Sequence, residues 1–136
     1  MEKEPCVSKG KVLFMDDQEI ARSLMERILK RFGYEISLAK DGAEAIDLYK
    51  NAKESGMPFD VVIMDLTIPG GMGGEEVIQK LLEIDPKVKA IAMSGYSNDP
   101  IIVNCKKYGF SGSVAKPYGI EQLNKVLQDI MTETSH

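Results

Sequence analysis

A run of apolar residues that ends in an aspartate, FDVVIMDLTIPGG at residues 59–71, constrains the fold of this chain more than any other segment. Residues 61–64 are all apolar and lead directly into Asp65, and a proline and several glycines follow. A short apolar run bounded by turn residues is typical of a strand buried on both faces, as in a parallel sheet. Because such sheets bind ligands at the carboxyl ends of their strands, Asp65 is expected at a functional edge.

Strand and helix patterns alternate along the whole chain. Predicted strands cover residues 12–15, 34–38, 61–64, 88–93 and 111–115, and a helix pattern follows each of them. This alternation predicts an α/β fold, a doubly wound five-stranded parallel sheet with five helices and right-handed crossovers. In the second strand, polar Glu35 and Ser37 alternate with apolar residues, which favours a position at the edge of the sheet.

The spacing of apolar residues also indicates which helix faces pack on the sheet. The inward residues are expected to be Ala21, Leu24, Met25, Ile28, Leu29 and Phe32 in the first helix and Ile120, Leu123, Leu127 and Ile130 in the last. Asp41 is placed to cap the second helix. Asp99 and Pro100 are placed to begin a short fourth helix that ends near Tyr108.

Length and composition indicate one globular domain. The chain has 136 residues, of which 43% are hydrophobic and 28% are charged. We expect a lead-in at residues 1–10, the domain at residues 11–131 and a polar tail at residues 132–136. The net charge of −4 gives no general affinity for nucleic acid, and no apolar run has the length of a membrane span. Without a signal peptide, and with Cys6 and Cys105 far apart, a cytoplasmic protein with reduced thiols is predicted.

Polar side chains follow the strands that this fold places side by side. They are Asp16 and Asp17 after the first strand, Asp65 after the third, Ser94 after the fourth and Lys116 after the fifth. Taken singly, each has an ordinary interpretation as a helix cap, a turn residue or a surface charge. Because the carboxyl ends of parallel strands meet at one edge, we expect all of them at a single site.

The charges of this set predict a metal-assisted phosphoryl site. Carboxylates about 5 Å apart repel by a few kcal/mol per pair at an effective dielectric constant near 20, and Lys116 supplies only one compensating charge. Mg²⁺ suits carboxylates, waters and a phosphoryl oxygen as ligands, and it would complete the balance. Asp65 is then placed as a nucleophile that forms an acyl phosphate, assisted by Ser94 and Lys116. Gly95 leaves space for the incoming group.

In combination, these motifs resemble a receiver domain of two-component signalling. The likeness covers about residues 11–131 and rests on the aspartate pair, on MDLTIPGGMGG around Asp65, on SGY after the fourth strand and on KP after the fifth. The loop after Asp65 and the sequence SGYSNDP are similar to receivers of hybrid sensor histidine kinases. The resemblance implies a flavodoxin-like sheet with strand order 2-1-3-4-5.

The resemblance also implies a set of residue roles. Asp65 would accept a phosphoryl group from a phosphohistidine of a sensor histidine kinase or a histidine phosphotransfer protein. The implied Mg²⁺ ligands are Asp16, Asp17, Asp65 and the backbone carbonyl of Thr67, the implied phosphoryl contacts are Ser94 and Lys116, and the Lys116-Pro117 peptide would be cis. Such a domain is a signalling switch or a phosphorelay component, and it catalyses only its own phosphorylation and dephosphorylation.

One position departs from the family pattern. Ser113 stands three residues before the lysine, where the family usually has an aromatic residue that couples phosphorylation to the outer face. This substitution raises the question of how a signal would leave the site. Whether the chain is a free-standing receiver or a part of a hybrid kinase stays open.

Three other classes compete with the receiver interpretation. A phosphatase of the haloacid dehalogenase type needs a second aspartate two residues after its nucleophile, and the run Asp16-Asp17-Gln18-Glu19 lacks that pattern. A binding module with this fold and no phosphorylation would not need Asp65, Ser94 and Lys116 together. A flavodoxin-like flavin carrier would offer hydroxyl groups to a phosphate after the first strand, where Asp16 and Asp17 would instead repel it.

Overall fold

A single parallel sheet forms the centre of the molecule. The computed structural model describes residues 10–66, 74–95, 100–116 and 119–133. Within them the strands are β1 (Lys11–Met15), β2 (Glu35–Ala39), β3 (Val61–Asp65), β4 (Ala90–Ser94) and β5 (Gly112–Ala115). All neighbouring strands are parallel, in the order β2-β1-β3-β4-β5. The predicted fold class and strand order are confirmed, and β2 lies at an edge as expected.

Helices cover both faces of this sheet. They are α1 (Glu19–Phe32), α2 (Gly42–Glu54), α3 (Gly74–Ile84), α4 (Pro100–Val103) and α5 (Ile120–Glu133), with a 3₁₀ helix at Cys105–Tyr108. The side chain of Asp41 caps α2 by accepting a hydrogen bond from the Glu44 amide, as predicted. The predicted lead-in and tail fall mostly outside the described residues, so the division of the chain into domains stays a prediction.

The alternation of side chains along each strand produces two apolar layers. Along β1, Leu13 and Met15 pack beneath α2 and α3, whereas Val12 and Phe14 pack beneath α1 and α5. All five residues of β3 are buried, because both faces of this central strand are covered. The continuous apolar run that ends at Asp65 is therefore a consequence of two-sided burial.

Strand β4 begins two residues later than the sequence pattern indicates. The Asp85 side chain accepts a hydrogen bond from the Lys87 amide at 3.0 Å, and the Asp85 carbonyl accepts one from the Val88 amide at 3.0 Å. These bonds hold a turn up to Val88, which is buried but does not pair in the sheet. Apolar character alone did not distinguish this buried turn residue from a strand residue.

The fourth helix is interrupted. Helix α4 ends at Val103, Asn104 has a non-helical backbone, and a 3₁₀ helix follows as far as Tyr108. Ile101, Ile102 and Val103 are β-branched, which lowers helix propensity and explains why the helix does not continue. Cys105 begins the 3₁₀ helix as a free thiol, and the Asp99 cap that was predicted lies outside the described residues.

The prediction that Leu24 and Ile120 pack on the sheet is wrong. Leu24 on α1 is 51% exposed and Ile120 at the start of α5 is 53% exposed, although Met25, Ile28 and Leu29 on α1 are buried as expected. Both exposed residues line a groove between α1 and α5 instead of packing on the sheet. Helical spacing shows which face of a helix is apolar, but it does not show how far that face is covered.

Across residues 10–66, 74–95, 100–116 and 119–133, no helix has the length and the apolar character required to cross a bilayer.

A buried hydroxyl connects α2 to the turn after α3. The Tyr49 hydroxyl donates a hydrogen bond to Asp85 Oδ2 at 2.9 Å, and Lys53 Nζ lies 3.9 Å from the same oxygen. Burial raises the pKa of Tyr49, and the Asp85 carboxylate raises it further. Burial alone would raise the pKa of Asp85, but the Lys87 amide, the Tyr49 hydroxyl and the two lysine charges together lower it.

We expect Tyr49→Phe to lower the free energy of unfolding by about 1 kcal/mol, because it leaves a partly buried carboxylate without one of its donors. Urea denaturation monitored by circular dichroism measures this change. Tyr108→Phe, which removes a hydroxyl from a partly exposed tyrosine outside this contact, is the control. Equal effects of the two substitutions would contradict a specific role for the Tyr49–Asp85 bond.

Candidate functional site

The register of the sheet brings the predicted polar residues to one edge. Met15 pairs with Met64, Asp65 pairs with Met93 and Ser94 pairs with Ala115. Asp65 and Ser94 are the last residues of β3 and β4, and Asp16 and Lys116 come directly after β1 and β5. Because the strands are parallel, all four residues lie at the same edge of the sheet. Asp16 is 1% exposed, Asp65 3% and Ser94 0%, so the site is recessed below the surface.

An ion pair lies at the centre of this site. Lys116 Nζ lies 2.7 Å from Asp65 Oδ2, and the lysine side chain is one-third exposed. The Lys116 amide donates a hydrogen bond to the Ser94 carbonyl at 2.7 Å, and the Leu66 amide donates one to the Met93 carbonyl at 2.8 Å. These backbone bonds extend the pairing of β3, β4 and β5 beyond the strands, and they hold the ion pair in a defined position.

Asp16 is a buried carboxyl group next to Asp65. Burial raises the pKa of Asp16 to about 6, and its hydrogen bond and charge interaction with Asp65 raise it as well. The Gln18 amide, which donates to Asp16 Oδ1 at 2.9 Å, and the Lys116 charge both lower the pKa, but they do not outweigh burial. The two carboxyl groups therefore resist simultaneous ionisation.

Arg22, which was not predicted from the sequence to belong to the site, holds the segment that contains Asp16. The Arg22 guanidinium donates a hydrogen bond from Nη1 to the Asp16 carbonyl at 2.8 Å, which ties the first turns of α1 to the end of β1. An arginine on an exposed helix is an ordinary surface residue in a sequence. No motif or spacing signalled this contact.

Asp17 differs from its neighbour, because its side chain is exposed rather than recessed. Among the described residues, no three carboxylate, imidazole or thiol side chains converge closely enough to form a metal site. Mg²⁺ usually keeps several waters and binds proteins through one or two carboxylates, so the oxygen donors of Asp16 and Asp65 fit this ion. Thr67, whose carbonyl was predicted as a ligand, lies outside the described residues.

The remaining predicted residues lie at the same edge. The buried Ser94 ends β4, and a side chain added at Gly95 would meet no other atom within 4 Å. Gly95 therefore faces open space beside the Ser94 position, and its role in the entry of a phosphoryl group stays a prediction. Pro117 lies outside the described residues, so the cis peptide stays a prediction.

Ser113 makes a contact that the sequence did not indicate. Its hydroxyl donates a hydrogen bond to the Ile102 carbonyl at 3.1 Å, which links β5 to the last turn of α4. Ser113 therefore binds the neighbouring helix at the position where the resemblance to receiver domains would imply an aromatic residue.

The protonation of Asp16 predicts a pH dependence of stability in protein kept free of metal with a chelator. Between the ordinary pKa of 3.8 and about 6, folded protein retains a proton that the unfolded chain releases, so stability falls as the pH rises through this window. Asp16→Asn should flatten this dependence and raise Tm at neutral pH by several degrees, since about 1 kcal/mol corresponds to roughly 4 °C. Scanning calorimetry over a range of pH measures both effects.

The exposed Asp17 supplies the matched control for that experiment. Asp17→Asn removes the same formal charge one residue away, and it should change Tm far less because its carboxylate remains hydrated. Equal shifts for the two variants would show that general charge reduction, rather than burial next to Asp65, causes the effect.

Comparison with known proteins agrees with this geometry. The sequence profile of the response regulator receiver domain matches residues 12–128. Sporulation initiation phosphotransferase F of Bacillus subtilis is 29% identical over 118 residues, which cover 87% of this chain and 90% of that protein. Sensor kinase CckA of Brucella abortus is 28% identical over 120 residues, which cover 88% of this chain but only 12% of the kinase.

Solved structures show the same fold. The receiver domain of the sensor histidine kinase PA1611 from Pseudomonas aeruginosa, solved with a magnesium ion in its active-site cleft, superposes with a TM-score of 0.78 at 22% identity, covering 90% of this chain and 98% of that one. The family match distinguishes the chain from the dehalogenase-type phosphatases and flavin carriers that its sequence left as alternatives. The chain belongs to the response regulator receiver domain family, the phosphoacceptor domains of two-component signalling.

Proposed function

We propose that Asp65 of this chain is the residue that accepts the phosphoryl group. The observation that carries the proposal is the buried Asp65 carboxylate, held 2.7 Å from Lys116 Nζ at the carboxyl edge of the sheet. A nucleophile needs a fixed position and a nearby charge that balances the group it receives. Among the predicted carboxylates, Asp65 lies on the central strand and has this contact.

The transfer step follows from these contacts. An Asp65 carboxylate oxygen attacks the phosphorus atom, and the bond from phosphorus to the donor nitrogen breaks, so that an imidazole leaves. Lys116 lies close enough to exchange its contact with Asp65 for one with a phosphoryl oxygen. Ser94, the last residue of the adjacent strand β4, would offer its hydroxyl to the same group. The lysine charge and the hydroxyl would together stabilise the negative charge on the phosphoryl oxygens.

We propose Asp16 and Asp65, with Asp17 and the Thr67 carbonyl, as the ligands of Mg²⁺. Bound there, the ion would neutralise part of the charge on the phosphoryl oxygens. The raised pKa of Asp16 supports this assignment, because carboxylates that repel each other in a buried site are stabilised by a cation. The PA1611 receiver domain, which has the same fold, was solved with a magnesium ion in its active-site cleft.

We propose a phosphohistidine protein as the partner, either a sensor histidine kinase or a phosphotransfer protein. The family supports this, because receiver domains pair with histidine kinases or phosphotransfer proteins, and one relative of this chain is part of a sensor kinase. On this account the chain modifies only its own aspartate. A released product in repeated turnover of a small phosphate ester would instead favour a phosphatase.

Substitution of Asp65 tests the assignment of the acceptor. Asp65→Asn should abolish the gain of one phosphoryl group when the protein is incubated with phosphoramidate and Mg²⁺, because an amide is a poor nucleophile. Intact-protein mass spectrometry measures the gain. Asp47→Asn, which changes an exposed carboxylate on α2, should label like the wild type. Labelling of the Asp65→Asn variant would disprove the assignment.

Thermal stability tests the metal site. Millimolar Mg²⁺ should raise Tm of the wild type, because an ion that binds only the folded state stabilises it. Asp16→Asn should reduce this increment, because it removes one proposed ligand and relieves the carboxylate repulsion. An equal increment in wild type and variant, measured by differential scanning fluorimetry, would contradict a role for Asp16 in metal binding.

A further inference from the structure

A groove runs between α1 and α5. It has a volume of about 1120 Å³, and Gly95 and Lys116 line it where it meets the carboxyl edge of the sheet. Binding sites for small molecules are concave, mainly apolar and of roughly this size. Because α1 begins at this edge and runs back along the sheet, the later residues of α1 line the opposite end of the groove.

Apolar side chains form the middle of the groove wall. Leu24 and Ile28 on α1 and Ile120 on α5 line it. Leu24 is 51% exposed and Ile120 is 53% exposed, although the apolar residues Met25 and Leu123 on the same helices are buried. Two large apolar side chains exposed at one concave surface provide an area that an apolar occupant would remove from water.

Two arginine residues line the groove further along α1. Arg27 and Arg31 lie one turn apart, so their side chains are neighbours on one face of the helix. Within the part of the chain that the structure describes, neither guanidinium group forms an ion pair, and the ion pair on α1 joins Lys30 to Glu26 instead. In a chain with a net charge of −4, two adjacent cations without a carboxylate partner favour an anionic occupant.

The charges at the two ends of the groove orient such an occupant. At the edge of the sheet, Lys116 Nζ is held 2.7 Å from Asp65 Oδ2, and Asp16 is a second acidic residue nearby. This end is therefore less favourable for an anion than the end with the two arginine residues. An acidic head group is expected beside the guanidinium groups, with its apolar body extending toward Leu24.

The spacing along α1 limits the length of the occupant. Arg31 comes seven residues after Leu24, which corresponds to about 10 Å along a helix axis. Octanoate in its extended form has a comparable length, whereas butyrate is too short to reach both residues. A medium-chain carboxylate therefore matches both the charge and the length of the groove.

We propose that the groove between α1 and α5 is a binding site for free medium-chain carboxylates, of which octanoate is an example. The carboxylate accepts hydrogen bonds from Arg27 and Arg31, and the alkyl chain covers Leu24 and Ile120. Binding is reversible and involves no covalent step. The inference goes beyond the proposed function, because it does not require that Asp65 be phosphorylated.

A series of defined ligands tests the proposal. Isothermal titration calorimetry of the full chain measures the affinity for butyrate, hexanoate, octanoate and octan-1-ol, each below the concentration at which it forms micelles. Octanoate should bind at least about tenfold more tightly than octan-1-ol, because the alcohol lacks the charge that the guanidinium groups recognise. Along the carboxylate series, affinity should rise by up to about fourfold for each methylene that leaves water.

Arginine variants test the recognition of the head group. Arg27→Ala/Arg31→Ala should weaken octanoate binding at least about tenfold and leave octan-1-ol binding within about twofold of the wild type. The control is Lys30→Ala/Lys50→Ala, which removes two positive charges from exposed sites on α1 and α2 outside the groove. It should change neither affinity by more than about twofold, because exposed charges at a distance are screened by salt.

A second pair of variants tests the contact with the alkyl chain. Leu24→Ser should reduce the gain in affinity for each methylene between butyrate and octanoate, whereas Ile20→Ser should leave that gain unchanged. Ile20 is 83% exposed one turn earlier on α1, and it does not line the groove. Because both side chains are largely exposed, neither substitution creates a cavity in the core.

Several results would overturn the inference. They are octan-1-ol binding as tight as that of octanoate, equal losses in the arginine variant and its lysine control, equal effects of Leu24→Ser and Ile20→Ser, and no measurable binding of octanoate. If sedimentation velocity then showed a dimer that Leu24→Ser dissociates, the groove would be an interface between copies of this chain. Labelling of Asp65 by phosphoramidate is a separate measurement, so failure of this inference leaves the proposed function intact.

Discussion

The contact between Asp16 and Asp65 under near-complete burial is the constraint from which the properties of this site follow. Burial raises the pKa of Asp16 to about 6, and its hydrogen bond and charge interaction with Asp65 raise it as well. The two carboxyl groups therefore cannot both ionise in this recessed site without an electrostatic cost. Lys116 offsets part of it through its ion pair with Asp65. A bound cation would stabilise a site with this excess of negative charge. The protonation of Asp16 depends on the charge of Asp65 and changes when that charge changes.

The sheet imposes this contact. Side chains at the carboxyl ends of neighbouring parallel strands meet whether or not their charges attract, and the two apolar layers beneath α1–α5 provide the stability that keeps them together. Strand β5 connects the site to α4. Lys116 follows this strand, and Ser113 on the same strand binds the Ile102 carbonyl of α4. A hydrogen bond thus stands where receiver domains usually have an aromatic residue.

The sequence predicted the fold and the meeting of Asp16, Asp65, Ser94 and Lys116, because strand ends follow from apolar patterns and parallel strands share an edge. It did not distinguish the buried Asp16 from the exposed Asp17. The path of the backbone decides which of two adjacent loop residues is buried, and the pattern of apolar residues does not contain that information. It also could not foresee that Leu24 and Ile120 line a groove, because the separation of α1 and α5 depends on packing among distant elements. The hydrogen bonds of Arg22 and Ser113 likewise depend on tertiary positions that no local motif encodes.

The central claim is that Asp65, rather than a neighbouring carboxylate, carries the phosphoryl group. Borohydride reduces an acyl phosphate of aspartate to homoserine, so reduction of the phosphorylated protein followed by peptide mass spectrometry locates the modified residue. We predict homoserine at position 65 alone. Homoserine at Asp16 or Asp17, with Asp65 unmodified, would contradict the account.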